Sequence, residues 1–96
     1  MLKEVKLKVG EKAVKAIVFP LQTKNLIIIR GSKGYIMCGY LNLAVANKFG
    51  DVAVKVVGVD TVEDVLKAKV FSLSNLAKKL GIFKGQSIKE VLKIIA

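Results

Sequence analysis

Nine consecutive residues, Gly34-Tyr35-Ile36-Met37-Cys38-Gly39-Tyr40-Leu41-Asn42, hold the only cysteine and both tyrosines of this 96-residue chain. A thiol next to Gly39, followed by an Asn that can cap a helix, sits where a turn can present a side chain. There the free N–H groups of a starting helix favour a thiolate or a bound anion. Cys38 is therefore the one candidate nucleophile, and Cys38, Gly39, Tyr40 and Asn42 form the candidate ligand-binding set. The chain has no His, which removes the usual Cys–His pair. Activation would fall to the helix end, a Lys, Tyr40, Asp51 or Asp60. Free cysteines are among the most buried residues, so packing in the core comes first for Cys38, lining a ligand cavity second, and covalent catalysis third. On a strand, Tyr35 and Met37 share one face and Ile36 and Cys38 the other. One Cys, no His and scattered acids supply no dense ligand set, so neither a metal nor a cofactor is expected.

Two further motifs carry chemistry in other proteins. Gly31-Ser32-Lys33-Gly34 has the Gly-x-x-Gly form that grips an RNA backbone when it joins helices; here it joins two strand-like runs and reads as a hairpin turn. Ser74-Asn75-Leu76-Ala77-Lys78-Lys79-Leu80-Gly81-Ile82 resembles the first helix and turn of a helix-turn-helix DNA reader. The apolar position that should follow Gly81 by six is Ser87, with Ile88 one residue late, a slip that rotates a second helix by about 100°. DNA binding through this segment, with Ser87, Lys89 and Lys93 as contacts, is thus an alternative to the ligand site and the less favoured one.

Charge and composition narrow the classes. The formal net charge is +10, from sixteen Lys and the single Arg30, and Lys is the poorer residue for bidentate phosphate and base contacts. Residues up to Lys48 carry nine cations and two anions, so most of the excess lies in the first half. Lys6 and Lys8 alternate with Val5, Leu7 and Val9, as expected of the wet side of a strand protected from edge-to-edge aggregation. Lys and Gly break every apolar run well short of the ~20 residues that a membrane span needs. No leader pattern is evident, so a cytoplasmic protein without a membrane partner is expected. A lone cysteine agrees with a reducing compartment.

The elements that must position these residues follow from periodicity. Lys3–Val9 alternates as a half-buried strand, Gly10-Glu11-Lys12 turns the chain, and residues 13–19 form a second strand closed by Pro20. Asn25–Arg30 is a third strand, and residues 35–38 a fourth after the Gly31 to Gly34 turn. A helix over 41–48 ends at Gly50, and residues 52–59 are β-branched and strand-like. Thr61 begins a capped helix to Lys67, 69–73 is a short strand, Ser74 caps a helix stopped by Gly81, and Ser87 with Glu90 caps a final helix. This order predicts a single α+β domain over 1–96. It comprises an N-terminal antiparallel β-meander, then mixed strands and about four helices packed on one face of the sheet. Leu26-Ile27-Ile28-Ile29 is apolar on both sides, as is the second strand with Val14, Ala16 and Val18 opposite Ile17 and Phe19. Such strands need both faces covered. A 53% hydrophobic content in so short a chain points to a partner subunit's sheet as the second cover.

The segment from Gly34 to Asn42, then Gly50-Asp51, Gly58-Val59-Asp60-Thr61-Val62-Glu63-Asp64-Val65-Leu66, and Leu80-Gly81-Ile82 with Gly85, resembles the YunC-like family of small prokaryotic proteins over nearly the whole chain. The resemblance implies an α+β domain whose N-terminal β region mediates homo-oligomerisation, as a tetramer. It implies no activity, because the family is one of unknown function, and it places the Met-Cys-Gly-Tyr-Leu segment in the recognisable core of the family.

Overall fold

In the computed structural model, which describes residues 2–96, a single six-stranded sheet runs in chain order. Its strands are β1 (Lys3–Val9), β2 (Lys12–Pro20), β3 (Asn25–Arg30), β4 (Tyr35–Met37), β5 (Ala53–Lys55) and β6 (Ser72–Leu73). All neighbours pair antiparallel except β4 and β5. The parallel pair requires a crossover, supplied by α1 (Leu43–Phe49). The remaining helices are α2 (Val62–Lys67), α3 (Asn75–Lys79) and α4 (Ile88–Ile95). The fold class is the expected α+β with an N-terminal antiparallel meander.

Register explains the core. Ala16 opposes Ile29, Ile29 opposes Ile36, and Ile36 opposes Val54, so the side chains of these four strands point to one face and are fully buried there. Against them lie Ile88, Val91, Leu92 and Ile95, spaced as one stripe of α4, together with Val65 from α2 and Ala77 from α3. The C-terminus of α4 docks on the β3–β4 turn. Lys33 donates its N–H to the Ile95 carbonyl at 2.8 Å and Ser32 its hydroxyl to the Ala96 carbonyl at 3.0 Å. At Gly31 a β-carbon would fall inside the Ile95 carbonyl, which is why glycine stands there.

The helices do not all share that face. On α1 the buried residue is Ala46, which packs with Met37 and Ala53, and both of these point away from Ile36 and Val54. The expectation of one helical layer misses this because the crossover between two parallel strands must lie on one side of them. Small Ala46 and Ala53 let α1 approach closely on the side opposite α4. Helix α1 covers only the β4–β5 half of its face, leaving the β1–β3 half open.

Two strands are shorter than their sequence pattern. The 52–59 run pairs only over Ala53–Lys55. The Val56 N–H still reaches the Met37 carbonyl at 2.9 Å, after which Gly58, at φ 72°, turns the chain away. The 69–73 run reduces to Ser72–Leu73 plus an isolated bridge between Lys69 and Ser87. Among the described residues no helix is long and apolar enough to cross a membrane.

Candidate functional site

Cys38 lies at the end of β4, 2% exposed, on the core side of the sheet. Its N–H donates to the Ile27 carbonyl at 3.2 Å, while its own carbonyl accepts from Leu41 at 3.2 Å. That carbonyl is engaged in the turn, so the Ile27 N–H bonds instead to the Cys38 Sγ, at 3.3 Å. The sulfur thus takes the place of a ladder carbonyl where the strand stops, a structural use of the thiol.

The candidate ligand-binding residues divide between two surfaces. Cys38, Gly39 and Tyr40 border a shallow hollow of about 280 Å³ with Lys24, Gly58 and Val59. Asn42 caps α1, its Oδ1 accepting from the Ala44 N–H at 2.8 Å, and it lines a larger groove of about 620 Å³ on the opposite face of the sheet. Strand alternation separates them: Met37 looks into the groove and Cys38 into the core.

The groove was not legible as a site in the sequence. Its floor is Ile17, Ile28 and Met37, aligned across β2, β3 and β4 by the pairing of Ile17 with Ile28 and of Ile28 with Met37. Its helical wall is Val45, Ala46 and Phe49, with Phe49 76% exposed. Arg30, the single arginine, and Tyr35 stand together at one end, paired across β3 and β4. The Tyr35 hydroxyl donates to Asp51 Oδ2 at 2.8 Å. Partial burial, then this hydrogen bond, then the negative charge of Asp51 push the phenol up to about 12, so the hydroxyl remains a donor at neutral pH. A lone Arg on an apolar strand was the available signal for the polar end of the groove; Val45 and Phe49 gave none, since exposed apolar positions on a short helix read as ordinary surface.

The helix-turn-helix expectation does not survive the geometry. Eight residues, 80–87, separate α3 from α4, where the motif needs a turn of three or four. Helix α3 is only five residues long and packs on β5. Ser74 fastens it there: its Oγ donates to the Asp51 carbonyl at 2.8 Å and accepts from Ala53 at 3.0 Å and from Ala77 at 3.2 Å. Ser87, Lys89 and Lys93 fall at the start and on the outer side of α4, where the neighbouring helix is α2, whose Leu66 lies beside Lys89 and Lys93, and not α3 as the motif requires. Gly31 to Gly34 is the expected hairpin turn, closed by a 2.8 Å bond from the Gly31 N–H to the Gly34 carbonyl.

Comparison with known proteins identifies the family. The profile described as "Domain of unknown function (DUF1805)" matches residues 37–95, from the last residue of β4 to the last of α4. This chain belongs to the DUF1805 family. The resemblance noted in the sequence is borne out by the uncharacterized protein YunC of Bacillus subtilis, 37% identical over 81 residues and covering 80% of each chain. The DUF1805 chain is also similar, at a TM-score of 0.95 and 41% identity, to the crystal structure of a protein of unknown function from Thermoplasma acidophilum. That match spans 100% of this chain and 94% of the other, so the fold of β1–β3, outside the profile match, is shared as well.

Proposed function

We propose that this DUF1805 chain is a self-assembling module, with a second copy seated on the open half of the sheet. The observation that carries the proposal is the uncovered apolar face of β2 and β3. Ile17, Phe19 and Ile28 project there, continuous with Val45 and Phe49 of α1, and Phe19 is 50% exposed. The total accessible surface is 6043 Å², against roughly 5400 Å² expected of a compact monomer of this mass. The same strip of a second copy is a fitting cover for Ile17, Phe19 and Ile28, because apolar sheet faces stack about 10 Å apart with interdigitating side chains, with Lys6, Lys15 and Arg30 of the same face left at its rim. The decisive comparison is light scattering of the parent chain and of Ile28→Glu and Phe49→Glu. Each variant is expected to lower the assembled mass while its circular dichroism is unchanged; an unaltered mass would count against this face.

A second reading, compatible with the first, is favoured by the groove at Asn42. Its 620 Å³ lies within the ~300–1000 Å³ range of ligand sites. A partner copy on Ile17 and Ile28 would roof it. Its apolar floor with Arg30 at one end suits a small apolar molecule bearing one anionic group. Titration calorimetry with octanoate is expected to show binding that Arg30→Ala weakens about tenfold; absence of heat with the parent chain contradicts this reading alone.

A further inference from the structure

Between Asp64 and Glu90 the chain contains Lys67, Lys69, Lys78, Lys79, Lys84 and Lys89 and no acidic residue. The same stretch leaves two aromatic rings in water, Phe71 at 52% and Phe83 at 57% exposed. The fold brings Lys78, Lys84 and the two rings together beside β6, whereas Lys89 lies against Leu7 and Val9 of β1. Phe71 and Phe83 border a cleft of about 380 Å³ whose floor is Leu73 and buried Ile82, with Lys78 and Lys84 also lining it. Lys84 Nζ lies 5.9 Å from the centre of the Phe71 ring.

The rings are presented by a backbone that does not depend on them. The Phe71 N–H is held by the Lys55 carbonyl at 2.9 Å, and the Gly85 N–H by the Val70 carbonyl at 2.9 Å. Buried Gln86 pins the loop twice: its Oε1 accepts from the Phe83 N–H at 3.2 Å and its carbonyl from the Val70 N–H at 2.9 Å. The result is a pair of exposed aromatic rings with Lys78 and Lys84 beside them; the acid Glu90 accepts through its Oε1 from Gln86 Nε2 at 3.5 Å.

We propose that this cleft binds single-stranded nucleic acid, with bases stacking on Phe71 and Phe83 and the phosphate backbone running past Lys78 and Lys84. Stacking on aromatic faces combined with a positively charged track is the physical basis of sequence-tolerant single-strand binding, and it needs Lys rather than Arg only as a point charge. Duplex reading is the poorer fit, since it calls for a helix or ribbon that enters a groove, whereas α3 is short and fastened to the sheet. A bilayer is also the poorer fit, since the rings flank a concavity instead of forming a protruding apolar face. The cleft and the face proposed for assembly share no lining residue, so the two proposals are tested by different variants.

The test is fluorescence anisotropy of a labelled oligothymidylate of about ten nucleotides across a salt series. The parent chain is expected to bind at low salt. Phe71→Ala/Phe83→Ala should weaken binding tenfold or more with the salt slope preserved, because stacking releases no counterions. Lys78→Gln/Lys84→Gln should reduce the slope by about 1.4, at ~0.7 for each lost phosphate contact. On the parent protein, bound oligonucleotide should protect Lys78 and Lys84 from amine acetylation read by mass spectrometry, a measurement that requires no variant. Equal affinity of the parent and the Phe71/Phe83 variant would overturn the proposal, as would absence of protection. Binding to phosphatidylserine vesicles without oligonucleotide binding would overturn it in favour of a membrane surface.

Discussion

Ser74 does three jobs with one hydroxyl, and it is fully buried. It caps α3 through Ala77, accepts from the Ala53 N–H of β5, and donates to the Asp51 carbonyl. Ser74→Ala removes a helix cap, worth ~1 kcal/mol, and leaves a buried N–H without a partner, ~1–3 kcal/mol more. Denaturant unfolding should therefore show a loss of about 2–4 kcal/mol. Cys38, buried and bonded to the Ile27 N–H, is expected to react with a thiol reagent only as fast as the domain opens; stoichiometric labelling of the folded protein within seconds at neutral pH would contradict its placement. Tyr35 titrates near 12 in the folded protein against an ordinary ~10. A raised phenol favours the folded state fully below pH ~10, and that contribution is lost as the pH climbs through 10 to 12. Absorbance at phenolate wavelengths should show one tyrosine ionising late, and the late phase should disappear in Tyr35→Phe. Of these residues, the sequence announced Ser74 as a cap by its position before an apolar run. The role of Cys38 as a ladder acceptor was hidden, because it depends on where β4 ends against β3.

At the scale of elements, the meander β1–β3, the caps Asn42, Thr61 and Ser74, and the final helix opened by Ser87 and Glu90 were readable because each is encoded locally, by a period of two or by a side-chain acceptor before a helix. Thr61 accepts from the Asp64 N–H at 3.0 Å while the Asp64 carboxylate accepts from the Thr61 N–H at 3.2 Å, the reciprocal box its spacing predicts. The side on which α1 packs was not readable, since it rests on the Ala46, Met37 and Ala53 contact between distant segments. Nor was the early end of β5, where β-branched residues continue past the ladder into the turn at Gly58. The groove at Asn42 shares that cause: it exists only because α1 stands on the face opposite α4. The junction of the β3–β4 turn with α4 supplies a prediction at this scale. Gly31→Ala drives a methyl group into the Ile95 carbonyl, so the last turn of α4 must shift. Overpacking of this kind costs about 1–3 kcal/mol, and amide exchange should quicken in α4 before it does in β2; uniform protection would contradict the contact.

For the molecule as a whole, one face is sealed by α2, α3 and α4 while the other is half bare. Apolar residues on both sides of β2 and β3 anticipated that need, since a chain of this length has helices enough for one side and a part of the other. Partner copies completing the sheet would bury Phe19 and Ile28, roof the groove beside Arg30, and leave the Phe71 and Phe83 cleft free at the opposite edge. Sedimentation equilibrium of the unmodified chain at micromolar concentration measures this most directly. The account predicts a species several times the 10.4 kDa of one protomer, a tetramer being the mass expected; a single species of 10.4 kDa throughout the concentration range would contradict it.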